Sequence, residues 1–368
     1  MFKVAIRPQW EVRGPTGQPL PPRLIDLLVA VAEHRQLAEA CRQTGLSYRY
    51  AWGLLRRAEQ EFGAPLLRGV RGRGARLSVL GEKLVWAQRR IGARLSPNLD
   101  SLATELEVEL ERALSAARPI LQVQATHGFA VETMRRFLVE QEVPLDLKYR
   151  NSGEVLSALN AGACDLAGLH IVDGELQAAV LAHHAAQFDA ARQHVIDLAT
   201  RRLGLVVAPG NPKKILHLHD LTRPDVRFVN REPESGTRLL LDLLLRREGL
   251  RSEAIRGYDD IEFTHAAVAA YVASGMADVG LGLETPARRF QLGFVPQLTE
   301  RYFFLCDEDT LDTPRTQHVI GLMRSAAFRA TVGSLPGYDA SRSGTVQPLA
   351  QAFAALASLG APPSRTRR

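Results

Sequence analysis

The sequence predicts two folds in one chain: a small α-rich domain closed by a hairpin, and behind it a doubly wound α/β domain. Three observations carry this. Charge is divided unevenly, with 17 Lys+Arg against 7 Asp+Glu in residues 1–96 and 29 against 33 in the remainder. Apolar residues recur at helical spacing through the first part, whereas from Ile120 onward short apolar runs alternate with small polar loops and amphipathic stretches. The length of 368 residues and the hydrophobic content of 46% suffice for two or three domains, each with its own core. A basic domain ahead of a mildly acidic one is the asymmetry of a protein with one polyanionic partner and one other task.

Composition also excludes classes. The three cysteines, Cys41, Cys164 and Cys306, form no CxxC pair and no metal-ligand spacing, so neither a disulfide framework, a metal site nor any cofactor is expected. No run of 18 apolar residues occurs, and "MFKVAIRPQW" lacks the pattern of a secretory signal, which reads as a cytoplasmic protein without a membrane partner.

The opening "FKVAIRPQWEVRGPTGQPL" reads as a short hairpin turning at Gly14 to Gly17. Leu24, Leu27, Leu28 and Val31 then lie at helical spacing, and Leu37, Ala38, Ala40 and Cys41 mark a second, shorter helix that Gly45 stops. Ser47 is a natural N-cap for a third helix. Its stripe of Ala51, Leu54, Leu55, Ala58 and Phe62 packs inward, and Trp52 is expected to pack against the next element. The first turn stays free, and the N-terminal end of a helix in a major groove is what meets bases and phosphates. Ser47, Tyr48, Arg49, Tyr50 and Arg56 are therefore candidates for contact with double-stranded DNA. Leu66 to Arg68 and Ala75 to Leu77 read as two strands of a basic wing, with Arg71, Arg73 and Arg76 as further candidates for phosphate or minor-groove contact.

These residues resemble a known group. Gln36 to Gly81, with "EFGAPLL" and "ARLSVLG", looks like the winged helix-turn-helix of LysR-type regulators, and "GLSYRYAW" resembles the molybdate-responsive ModE family more closely. The resemblance implies a winged-helix DNA-binding domain over residues 1–96.

Ser96-Pro97 is expected to break the helix running from Gly81 to Leu95. Beyond it Leu99, Leu102, Leu106, Leu110 and Leu114 recur every three or four residues among glutamates, a seam for pairing with a second copy, so 97–118 reads as a dimerising linker. Residues 119–368 form the α/β domain with a C-terminal extension. Its helices open on small polar residues: Thr126-His127, Asn151-Ser152-Gly153 and Ser235-Gly236-Thr237. Free N–H groups and the dipole at such a helix start favour an anion, with Arg231 and Arg238 placed to add bidentate contacts and His127, His170 and His265 nearby.

"NSGEVLSAL", "CDLAGLHI", "APGNPKKI", "DLTRPDVRFVNREPESGTRLLLD", "GYDDIEFTHAAVAAYVASGMADVGLGLE" and "FVPQLTERYFFL" resemble, in order, the periplasmic-binding-protein-like domain of bacterial regulators and some molybdopterin biosynthesis proteins. That likeness implies a type II two-lobed sensor, the second lobe spanning 196–284. Its cleft would be lined by Thr126, His127, Ser152, His170, Arg231, Ser235, Gly236, Thr237, Arg238, Thr264 and His265. The chain departs from the family at Thr126-His127-Gly128 and at Glu234, where a glycine is usual; an inward carboxylate would oppose an anion. Together the two resemblances imply a one-component regulator, dimeric or tetrameric, that binds operator DNA and senses a small anionic effector: molybdate, tungstate, formate or a molybdenum-cofactor precursor. A transporter's solute-binding protein is the alternative, and an enzyme using Ser235 as nucleophile is disfavoured because no GxSxG elbow is present.

Overall fold

Leu24, Leu27, Leu28 and Val31 are buried together on α1 (Arg23–His34), and with Ala40 and Cys41 of α2 (Leu37–Thr44) and Ala51, Leu54, Leu55 and Ala58 of α3 (Tyr48–Phe62) they make one core. Gly45 ends α2 at φ 66°, a left-handed conformation that costs glycine little. The Ser47 hydroxyl caps α3 by accepting from Tyr50 N at 3.2 Å. An antiparallel pair follows, β1 (Leu67–Gly69) and β2 (Ala75–Leu77), and Glu59 Oε1 holds its entry by accepting from Leu66 N at 2.8 Å. The computed structural model describes residues 3–14, 17, 19–21, 23–69, 74–114 and 120–358. The chain divides into two units, Arg7–Leu95 and Met1–Ile6 with Ser96–Arg368.

The N-terminal hairpin turns at Gly14 to Gly17 as expected, with Gly17 N donating to Gly14 O at 2.9 Å, Leu20 N to Val12 O at 2.8 Å, and a single antiparallel bridge between Arg13 and Pro19. Two expectations about this part of the chain need correction. Trp52 is not a buried packing residue: it is 42% exposed, edge-on to Tyr48. The helix does not break at Ser96-Pro97, because α4 runs from Val79 to Leu114 with Pro97 inside. An internal proline costs about 3 kcal/mol. Burial on both sides outweighs it: Val85 belongs to the core of the first unit, while Ala103, Thr104 and Val108 are buried in the second.

The second unit contains β3 (Leu121–Ala125), α5 (Phe129–Glu140), β4 (Leu145–Tyr149), α6 (Ser152–Asn160), β5 (Leu166–Val172), α7 (Gln177–His184), β6 (Gln193–Val207), β7 (Phe228–Arg231), α8 (Gly236–Arg247), β8 (Ile261–Glu262), α9 (His265–Ala273), β9 (Val279–Leu283), α10 (Glu284–Arg289) and β10 (Gly293–Asp307). Helices α11 (Glu308–Leu311), α12 (Pro314–Arg324) and α13 (Ala326–Gly333), strands β11 (Tyr338–Asp339) and β12 (Val346–Pro348), and the short helices α14 (Leu349–Ala352) and α15 (Ala355–Ser358) follow. Val319, Ile320, Phe328 and Phe353 of this C-terminal segment are buried in the main core.

The ten-stranded sheet has the order β4-β3-β5-β10-β6-β9-β7-β8, with β11 and β12 on β6. It is not parallel throughout. A doubly wound domain implies parallel strands joined through helices, but β6 starts at Gln193 and runs antiparallel to β10 along 15 residues each. That ribbon joins the two lobes of a periplasmic-binding-protein-like fold. The parallel set β4-β3-β5 attaches to Glu300–Leu305 of β10, and β9-β7-β8 attaches through Leu203–Val207 of β6.

Candidate functional site

Tyr48, Arg49 and Tyr50 occupy the first turn of α3, Tyr48 and Tyr50 being 52% and 54% exposed. Arg56 follows on the same helix, its guanidinium 6.0 Å from the Trp52 ring. On the wing, Arg76 faces Arg68 directly across the β1–β2 pair, both exposed. Like charges opposite one another destabilise a ladder unless something anionic is meant to lie between them. None of Arg49, Arg56, Arg57, Arg68 and Arg76 pairs with a carboxylate among the described residues. Arg57 and Arg68 belong with the sequence-derived set, as the arginine count of this region already hinted. Arg71 and Arg73 lie outside the described residues.

In the second unit the ribbon brings distant residues together. Glu300 sits opposite Arg201 on β6 and Tyr302 opposite His170 on β5. Side chains directly across from one another share a face, so these four converge. The ladder shifts register between Tyr302 and Phe303, leaving Leu198 unpaired. That bulge turns Asp197 to the opposite face, where it binds Arg301 instead.

Arg201 and Glu300 have fully buried side chains, and Arg201 Nε donates to Glu300 Oε2 at 2.7 Å. Arg201 Nη1 and Nη2 and Glu300 Oε1 are buried without hydrogen-bond partners among the described residues. Tyr302 donates to the Thr126 carbonyl at 2.6 Å, and Thr126 Oγ1 lies 3.2 Å from the Tyr302 hydroxyl and 3.1 Å from His170 Nδ1. His170 Nε2 lies against the start of α8, where a Cβ on Gly236 would approach it to 2.9 Å. Burial pulls the His170 pKa from 6.5 down to about 4, outweighing the attraction of Glu300. His265 is held well below the ordinary range, first by burial and then by the charges of Arg231 and Arg201. Glu300 is lowered: burial opposes its ionisation, but Arg201, His170 and Arg231 prevail.

The other sequence-derived residues divide. Thr237, Thr264 and His265 are buried, and Thr264 caps α9 by accepting from Ala267 N at 2.9 Å. Ser235 caps α8 by accepting from Arg238 N at 3.2 Å and donates to the Glu232 carbonyl at 2.9 Å, so its hydroxyl proton is spent. Ser152 is buried in the first turn of α6, but the cap there is Asn151, in a capping box with Glu154. Arg231 donates to the carbonyls of Glu262 and Phe263 at 3.2 and 2.9 Å, and Arg238 stacks 4.0 Å over the Tyr258 ring. Glu234 is exposed and accepts from Asn151 Nδ2 at 3.3 Å, so it does not oppose an anion in the interior. His127 contacts Glu132 at 2.7 Å and packs edge-on to Tyr149 at 5.0 Å. Arg201, Glu300 and Tyr302 were absent from the sequence-derived set; charged residues within the apolar runs "LATRRLGLVV" and "LTERYFFL" were the available signal.

Residues 22–82 match the family described as bacterial regulatory helix-turn-helix protein, lysR family, and residues 134–324 match the PBP superfamily domain. The uncharacterized protein YvgK of Bacillus subtilis is 30% identical over 249 residues, which cover 66% of this chain and 79% of that protein. An uncharacterized protein from the ferredoxin 2Fe-2S gene 5' region of Clostridium pasteurianum is 31% identical over 109 residues, 29% of this chain and 96% of that one. Among solved structures, a hydrogen-peroxide-bound cysteine mutant of Corynebacterium glutamicum OxyR aligns at 15% identity over 84% of this chain and 95% of that one, with a TM-score of 0.43. Among the described residues no helix is long and apolar enough to cross a membrane.

Proposed function

From the premise that the chain belongs to the PBP superfamily-domain proteins and is a LysR-family DNA-binding transcriptional regulator with a PBP-like effector domain, we propose that it is a cytoplasmic one-component switch. In this reading a small anion held between the lobes alters how a dimer sits on its operator. The observation that carries it is the Arg201 guanidinium, buried between lobes with two nitrogens unspent. An unpaired buried donor costs roughly 1–3 kcal/mol, which an anionic ligand recovers. The "GLSYRYAW" resemblance puts molybdate, tungstate, formate or a molybdenum-cofactor precursor among the candidate effectors, and genes for molybdenum or tungsten enzymes among the targets.

Closure has a physical route to the linker helix. His127 at the cleft packs on Tyr149, whose backbone N donates to Ser101 Oγ of α4 at 3.0 Å, and Thr104 Oγ1 donates to the Leu147 carbonyl at 2.9 Å. The part of α4 from Ser96 to Leu114 is thus fastened along β4, the edge of the lobe that holds Thr126. Its other face leaves Leu102, Leu106 and Leu110 at 49%, 43% and 40% exposure, a seam for a second copy. Tetramers fit the same scheme if a second surface pairs two dimers.

The test is fluorescence anisotropy of the full chain with DNA from upstream of its own gene, with and without small anions. Specific binding that at least one anion strengthens or weakens is expected, with the anion raising the melting temperature as its concentration rises. Leu102→Glu with Leu106→Glu should give a monomer in sedimentation and lose operator binding. An unchanged dimer would remove the seam from the account, and failure of the parent chain to bind DNA would remove the function.

A further inference from the structure

Resting on the reading of the cleft as a small-anion site, we propose that it selects an anion bearing its own hydrogen-bond donor, a protonated oxyanion or a hydroxy acid, and that Glu300 enforces the choice. Oε2 of Glu300 takes the Arg201 Nε proton at 2.7 Å. Oε1 is buried with no donor in hydrogen-bond geometry among the described residues, and His170 Nε2 stands 3.6 Å from it, beyond hydrogen-bond reach. His170 does not swing in to help, since its Nδ1 is tied to Thr126 Oγ1 at 3.1 Å. The same interior therefore presents two unspent donor groups, Arg201 Nη1 and Nη2, beside one unspent anionic acceptor.

Both walls approach this cluster with glycine. A Cβ on Gly128 would stand 3.2 Å from Arg201 Nη1, and one on Gly236 would stand 2.9 Å from His170 Nε2. Glycine at both positions lets the starts of α5 and α8 close onto Arg201 and His170. A ligand made only of acceptors, such as sulfate, molybdate or tungstate at neutral pH, satisfies the guanidinium and sets a negative oxygen against Oε1. A ligand with an O–H beside its anionic oxygens satisfies both. A site whose buried polar groups are left unpaired by the wrong ligand discriminates far more strongly than an apolar pocket does. Among the effectors named from the family resemblance, this sets molybdate and tungstate behind a hydroxylated or phosphate-bearing precursor.

Calorimetry on the full-length chain at neutral pH tests this with two matched pairs, inorganic phosphate against sulfate and glycolate against acetate, with molybdate as a fifth probe. The donor-bearing member of at least one pair should bind ~100-fold or more tightly than its partner. Preference for phosphate identifies a protonated oxyanion, and preference for glycolate a hydroxy acid. Glu300→Gln, which puts an amide donor where an acceptor stood, should shrink or reverse the ratio. Equal affinity within both pairs, as expected if a buried water fills the place beside Oε1, overturns the proposal and leaves the anion cleft standing. Tighter binding of sulfate, acetate or molybdate does the same. Binding by none of the five overturns the anion cleft and this proposal together. If Glu300→Gln does not fold, the ratios of the parent chain still decide.

Discussion

The first turn of α3 and the interlobe cleft both offer arginine N–H groups without a partner among the described residues, and they do so in opposite ways. Arg49 and Arg56 are exposed on a helix whose core face is filled by Ala51, Leu54, Leu55 and Ala58. Arg201 is wholly buried, with Glu300 as its counter-charge and Tyr302 beneath it, 5.3 Å from guanidinium carbon to ring centre. Polyanion recognition draws on many solvated cations, each replaceable, with a strength that falls as salt rises. Small-ligand recognition draws on few groups held rigidly out of water, where one unpaired atom decides the outcome. Changes at the two places should therefore differ in kind: loss of stability in the cleft, loss of affinity at the surface.

The largest effect expected is from Arg201→Ala. Removing one partner of a buried ion pair strands the other, and the second unit should lose about 3–5 kcal/mol in urea denaturation. Arg49→Ala should stay within about 0.5 kcal/mol of the parent in the same measurement. Equal losses would erase the contrast.

Next in size is a pH effect confined to the cleft. His170 has a folded pKa of about 4 against an ordinary 6.5, so between these values the unfolded chain binds the extra proton. Stability rises with pH across that window and is lost as pH falls through it, by at most about 1.4 kcal/mol per pH unit from this group. His265, shifted in the same direction, adds to it. His170→Asn should flatten the acid limb of the stability curve; an unchanged limb would mean that other groups set it.

The smallest effect sharpens the cleft itself. Thr237 is buried in the first turn of α8, and Thr237→Ala should weaken anion binding by on the order of 1 kcal/mol without unfolding the chain. Unchanged affinity would make the Ser235-Gly236-Thr237 turn a helix cap alone.

How much of this was visible in the sequence depended on range. Ser47, Gly45 and the apolar stripe of α3 are local signals and lie where spacing put them. So is the start of α8 at Ser235, whereas the Thr264 cap of α9 was not read from the sequence. Pro97 was misjudged because a local rule, that proline ends a helix, was overridden by burial on both sides. Trp52 was misjudged because an aromatic residue was assumed to pack, whereas at 42% exposure it belongs to the outer face with Tyr48 and Arg56. Arg201, Glu300 and Tyr302 were missed for a different reason. Their meeting depends on the pairing of β6 with β10 across about a hundred residues and on the bulge at Leu198, which the period of either strand alone does not reveal.

The central claim, that one chain meets DNA through exposed arginines and its effector through buried groups, is tested most directly by the salt dependence of operator affinity for the parent, Arg49→Ala and Thr237→Ala in the absence of effector. If Arg49 contacts phosphate, the Arg49→Ala line should be shallower by about one unit in log affinity against log salt; if it contacts a base, binding should weaken by about 1–3 kcal/mol. Thr237→Ala should superimpose on the parent. An Arg49→Ala line identical to the parent, or a Thr237→Ala line displaced from it, would contradict the division of labour.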